Sequence, residues 1–168
     1  IALWDRAARK ARLPLSALLN SNASKRVAVN ALISGQARAE LASWDAQKST
    51  AKQLNDMLES GFTVFKLKVG AGSLDEDQTR VTALRSFLAG RASIRLDANG
   101  AWNSMDEALE AVHVLGLDGI CSLEQPLAAG SEGSWGPLQS LIPCLAADES
   151  VTDEASAAHL LALGTIDA

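Results

Sequence analysis

TVFKLKVGAGSLDEDQTRVTALRSFLAGRASIRLDANG, residues 63–100, is the stretch whose reading decides the fold. Thr63–Val69 is an apolar run bounded by Gly70-Ala71-Gly72, which reads as a strand leading into a tight turn. Asp75–Ala89 follows with helical spacing: acidic residues fill its first turn, and Val81, Leu84 and Leu88 mark one buried face. Gly90 stands where a left-handed residue ends a helix. Ser93–Asn99 is then a second apolar run, so the stretch is one strand, helix, strand unit.

The same unit recurs in both directions. Further strands are expected at Val27–Ile33, Ile120–Pro126 and Cys144–Glu149, and Thr165 onward begins a sixth. Ser73 with Glu76 and Ser104 with Glu107 fit reciprocal capping boxes, and Gly61, Gly116 and Gly164 sit at helix ends. Ala2–Arg12 reads as one amphipathic helix closed by Pro14. Strands alternating with helices predict a parallel sheet of right-handed units, either an open doubly wound sheet or an eight-stranded barrel. The open form should carry G-x-G-x-x-G after its first strand. It is absent, and Gly70-Ala71-Gly72 lacks the third glycine of a phosphate cradle.

Strands buried on both faces should be almost wholly apolar. Four of these end in charge: Phe65-Lys66-Leu67-Lys68-Val69, Leu96-Asp97-Ala98-Asn99, Leu123-Glu124-Gln125-Pro126 and Ala146-Ala147-Asp148-Glu149. Side chains alternate, so Lys66 and Lys68 share one face with Asp97 and Asn99, while Phe65, Leu67, Leu96 and Ala98 face the helices. Any one of these charges alone reads as a solvated rim residue. Together they aim two ammonium groups and three carboxylates at the C-terminal rim, where barrel enzymes collect catalytic groups. Three crowded carboxylates repel unless a cation intervenes; oxygen-only donors point to a hard ion such as Mg²⁺. Two lysines one residue apart, near a cation, should depress one lysine pKa, poising Lys68 as a general base. The implied chemistry is removal of a proton alpha to a carboxylate, with charge spread onto oxygens.

Composition narrows the alternatives. The 168 residues carry 15 Lys+Arg against 20 Asp+Glu, a formal net charge of −5, which disfavours nucleic acid as a partner. With 48% hydrophobic and 21% charged residues, the chain is of ordinary globular composition. No apolar run reaches the length of a membrane span and no basic-then-apolar leader opens it, so a cytoplasmic location is expected. Cys121 and Cys144 are expected as buried free thiols, and His113 and His159 as helix-surface or core filling. Trp4, Trp44, Trp102 and Trp135 are dispersed, with Trp102 packed under a loop. Ser131–Gly136 reads as a flexible Gly/Ser-rich loop without chemistry of its own. A chain that opens on Ile1 and stops at Ala168, inside an apparent strand, is expected to be part of a longer protein.

The set Lys66-x-Lys68, Leu96-Asp97-Ala98-Asn99-Gly100, Leu123-Glu124-Gln125-Pro126 and Ala147-Asp148-Glu149-Ser150 resembles the enolase superfamily, in its muconate-lactonizing branch. The separations of 29, 27 and 24 residues between Lys68, Asp97, Glu124 and Asp148 carry that resemblance. It implies an α/β fold, a partial (β/α)8 barrel of about five units, with residues 1–19 leading in and 27–168 forming the units. A capping domain and the last barrel strands would lie outside the chain, with the branch's second catalytic lysine among them. The resemblance also implies Mg²⁺ ligands at Asp97, Glu124 and Asp148, acid/base chemistry at Lys68, assistance from Lys66 and an outer role for Asn99. This mechanism is the superfamily's general one. Val27-Ala28-Val29-Asn30-Ala31-Leu32 is similar to the first barrel strand of o-succinylbenzoate synthases, implying syn-dehydration in menaquinone biosynthesis. Dipeptide epimerase and muconate cycloisomerase are the alternatives within the branch. The expected partner is a small carboxylate substrate, with room for a homo-oligomer of the full-length protein. A non-catalytic βα module is the reading from another class.

Overall fold

The computed structural model describes residues 1–33, 41 and 48–167. Its elements in chain order are α1 (Ala2–Ala11), α2 (Leu15–Leu19), β1 (Ala31–Ile33), α3 (Lys48–Glu59), β2 (Val64–Lys68), α4 (Leu74–Leu88) and β3 (Ser93–Asp97). They continue with α5 (Met105–Leu115), β4 (Ile120–Glu124), a 3₁₀ turn (Glu132–Ser134), α6 (Gly136–Gln139), β5 (Leu145–Ala146) and α7 (Glu154–Leu163).

The strands form a parallel sheet in the order β1-β2-β3-β4-β5. A doubly wound sheet reverses its strand order at a switch point, whereas a barrel adds each strand beside the last. The uninterrupted sequential order is therefore the order of the first five units of a barrel.

One face of the sheet is apolar and covered by helices. Phe65, Leu67, Val69, Ile94, Leu96, Ala98 and Leu123 are buried there in one core with Val81, Leu84 and Leu88 of α4 and Ala108, Val112 and Leu115 of α5. The α4 face is the one its spacing predicts. Arg85 of α4 donates to Leu115 O at 2.9 Å and Gly116 O at 3.0 Å, satisfying carbonyls that the end of α5 leaves without helical partners.

Several local expectations need correction. Val27 and Val29 are exposed and lie before β1, so only Ala31–Ile33 of the anticipated Val27–Ile33 pairs. Ser73 and Ser104 do accept from the Glu76 and Glu107 amides. Glu107, however, turns its carboxylate to Asn103 N at 2.9 Å, and the reciprocal box is made instead by Asp153 with Ser156. Helix α4 is capped by Ala89, in the left-handed region, rather than by Gly90. The segment 131–136 is not merely a loose loop: it holds the 3₁₀ turn and buries Glu132 and Trp135. Residues 165–167 form no strand, yet Asp167 N donates to Leu145 O at 2.8 Å alongside β5. Cys121 and Cys144 are free and only half-buried, His113 and His159 are exposed on their helices, and Trp102 is buried, bridged to Leu127. Trp44 lies outside the described residues. Among the described residues, no helix is long and apolar enough to cross a membrane.

Candidate functional site

The second face of the sheet carries the charge, in rows set by strand register. Lys68 pairs with Asp97, Asp97 with Glu124, and Glu124 with Ala146, giving a row across four strands at their C-terminal ends. One layer below, Leu32 pairs with Lys66, Lys66 with Arg95, and Arg95 with Ser122. Arg95, whose Nε donates to Ser122 Oγ at 2.8 Å, is a member of this face that inspection of strand ends misses because it lies mid-strand.

Lys66 leans upward from its row and bridges the two acids: its Nζ is 2.6 Å from Glu124 Oε1 and 2.9 Å from Asp97 Oδ2. Lys68 Nζ lies 3.5 Å from the same Asp97 oxygen and donates to Asn99 Oδ1 at 2.6 Å. Burial is the largest single influence on Lys66 and works to lower its pKa. The attraction of Glu124 and Asp97 together outweighs it, and the pKa is raised. Lys66 is thereby held as an ammonium.

The carboxylate of Asp97 is almost fully buried, and its two oxygens fare differently. Oδ1 accepts from Asn99 N at 3.0 Å. Oδ2 has ammonium charge nearby but no donor aligned for a hydrogen bond, and it is shut away from solvent. An anionic oxygen in that state favours any cation able to meet it directly.

Strands β3 and β4 are followed by non-glycine residues with left-handed backbone, Asn99 at φ 48° and Gln125 at φ 42°. Asn adopts this region readily because its short amide bonds locally; Gln does so at a cost of about 1–2 kcal/mol. Asn99 uses the turn to link two sides of the mouth, accepting from Lys68 and donating from Nδ2 to Glu149 Oε1 at 2.9 Å. Gln125 is wholly buried and reaches the backbone after β5, where its Oε1 accepts from Asp148 N at 3.0 Å.

Of the residues anticipated from sequence, Lys66, Lys68, Asp97, Glu124 and Asn99 stand together. Asp148 is placed differently. Ala146 occupies the row of Glu124, so Asp148 lies two residues beyond the ladder, with its side chain exposed. Accordingly, no group of three His, Cys, Asp or Glu side chains among the described residues is close enough to hold a metal ion as the chain stands. The donors nevertheless suit a hard divalent cation in kind, being oxygen only, and the orphaned Asp97 Oδ2 supplies an anchor.

The family "Enolase C-terminal domain-like" matches residues 49–168. Muconate cycloisomerase 1 of Pseudomonas putida is 32% identical over 97% of this chain and 41% of its own length. Arabinonate dehydratase of Saccharolobus solfataricus is 32% identical over 75% of the chain and 32% of its own length. The crystal structure of dipeptide epimerase from Enterococcus faecalis V583 superposes with a TM-score of 0.78 at 30% identity, over 99% of this chain and 45% of that one. The chain thus spans less than half the length of these proteins.

Proposed function

The chain belongs to the enolase C-terminal domain-like family, and from that premise we propose that its charged sheet face removes a proton alpha to a carboxylate and stabilises the resulting enolate. The observation that carries the reading is the row Lys68, Asp97, Glu124, with a buried Asp97 oxygen lacking an aligned donor beneath an accessible lysine.

The two lysines divide the work by environment. Lys66, the more buried of the two, hydrogen-bonded to Glu124 and ion-paired with Asp97, stays charged and offers its ammonium to a substrate carboxylate. Lys68 has the more exposed side chain, and its Nζ is held by Asn99 toward the mouth, where it takes the proton. Asp97, Glu124 and Asp148 would hold Mg²⁺, Asp148 completing the set from the turn after β5. Bound there, the cation supplies positive charge opposite oxyanion charge developing on the substrate.

Within this chemistry, muconate cycloisomerisation and dipeptide epimerisation are supported by the similar proteins. Syn-dehydration to o-succinylbenzoate rests on Val27–Leu32, of which only Ala31 and Leu32 fall in a strand. Epimerisation and syn-dehydration begin by removing the alpha proton, whereas cycloisomerisation closes its ring first and delivers a proton to the alpha carbon of the same kind of enolate. In each reaction one lysine moves the proton at that carbon, and a dipeptide tests the epimerisation arm directly. In deuterated water, wild-type protein with Mg²⁺ should exchange the alpha proton of a simple dipeptide such as L-Ala-L-Ala, followed by proton NMR. Lys68→Ala should exchange about 10²–10⁴-fold more slowly. Exchange by the variant at the wild-type rate would remove Lys68 as the base.

A further inference from the structure

We propose that Gln125 is a positioning residue for the cation site: it fixes where Asp148 stands relative to Asp97 and Glu124, and Ser150 and Glu132 in turn fix Gln125. The inference rests on the reading that those three acids share a divalent cation.

β5 pairs with β4 through Leu145 and Ala146 alone. Asp148 therefore has no place in the ladder, and its position depends on other contacts. Gln125 provides them from the neighbouring strand end. Its Oε1 accepts from Asp148 N at 3.0 Å and lies 3.4 Å from Ser150 N, so one amide oxygen grips the turn on both sides of Glu149. Its Nε2 donates to Leu127 O at 2.9 Å and to Ser150 Oγ at 2.8 Å.

The orientation of that amide is determined from behind. A hydroxyl has one proton to give, and Ser150 Oγ gives it to the carboxylate of Glu132. Ser150 then accepts from Gln125 Nε2 at 2.8 Å. Although its Oγ also lies 3.1 Å from Oε1, the Leu127 carbonyl, which can only accept, and the Asp148 N–H, which can only donate, require the same orientation. Glu132 is buried and anchored by Gly130 N at 2.8 Å, with Thr165 Oγ1 bonded to its backbone carbonyl at 2.9 Å. Gln125 is fully buried and left-handed, so its side chain leaves the Glu124 row and runs behind the site rather than into it. A strained residue over-determined by its surroundings marks a site where geometry is being held for a purpose.

The test uses Mn²⁺ as an EPR-active probe, titrated into wild-type protein, Gln125→Met and Ser150→Ala, with far-ultraviolet circular dichroism recording the fold. The wild type should bind one Mn²⁺. Gln125→Met should bind it at least about tenfold more weakly, the range typical when a residue supporting a metal ligand is lost. Its bound-ion hyperfine pattern should also change, which a staple acting on stability alone would not cause. Ser150→Ala should show a smaller loss in the same direction, and it decides the matter alone if Gln125→Met does not fold. Variants that bind as the wild type does, with unchanged spectra, overturn this inference while leaving the cation reading intact. A wild type that binds no Mn²⁺ overturns the cation reading and this inference with it.

Discussion

Lys66 Nζ reaches Glu124 Oε1 at 2.6 Å across an intervening strand, since β2 and β4 do not pair with each other. The contact passes over Asp97 of β3, which the same ammonium approaches at 2.9 Å. Lys66 therefore supplies the positive charge that lets two carboxylates coexist on a mostly buried face.

Removing that charge should destabilise the fold. Lys66→Met leaves Asp97 buried with only Lys68 at 3.5 Å, and the loss of one partner from a buried ionic cluster typically costs about 3–5 kcal/mol. The retained Lys68 places the expected loss near about 3 kcal/mol. Mg²⁺ should restore part of it, because a cation then takes over the role of the ammonium. Thermal denaturation with and without Mg²⁺ measures both; equal stability of variant and wild type in the absence of metal would disprove the counter-charge role.

Glu132 gives a pH dependence of known sign. Burial would raise its pKa, but the Ser150 hydroxyl and the backbone amide of Gly130 more than offset that, and the pKa is lowered. A carboxylate with a depressed folded-state pKa contributes stability above its unfolded value of about 4.3 and loses it as the pH falls through the folded value. Urea denaturation should thus separate wild type from Glu132→Gln at pH 7, and the gap should close in acid below that range. A gap independent of pH would show that the charge is immaterial.

The turn after β2 tolerates no side chain at Gly70. Its φ is 82°, a Cβ there would come within 2.6 Å of Ala101 Cβ, and its N–H donates to the buried Asp77 at 2.6 Å. Left-handed strain and overpacking together predict a loss of about 2–4 kcal/mol for Gly70→Ala, read by chemical denaturation. A loss below about 0.5 kcal/mol would mean that this turn relaxes freely.

Much of the fold was legible because two periodicities are strong in the sequence. Alternation in Phe65–Val69 and Leu96–Asn99 separates a core face from a charged one, and Val81, Leu84 and Leu88 give α4 its buried stripe. What escaped depends on register and on long-range bonds. Asp148 looks equivalent to Asp97 and Glu124 as a strand-end acid, yet pairing puts Ala146 in their row. Composition marked 131–136 as flexible, whereas Glu132 is fixed by Ser150, eighteen residues further along. Gln125 stands in the Leu123-Glu124-Gln125-Pro126 run, but neither its left-handed backbone nor its reach to the β5 turn has a local signature.

The most direct measurement of the central claim is calorimetric titration of Mg²⁺ into the wild-type protein and into Asp97→Asn. One binding event in the wild type, abolished in the variant that neutralises the buried carboxylate, is the predicted result. Absence of binding to the wild type, or binding of equal affinity to Asp97→Asn, would contradict a cation site built on the ends of β3, β4 and β5.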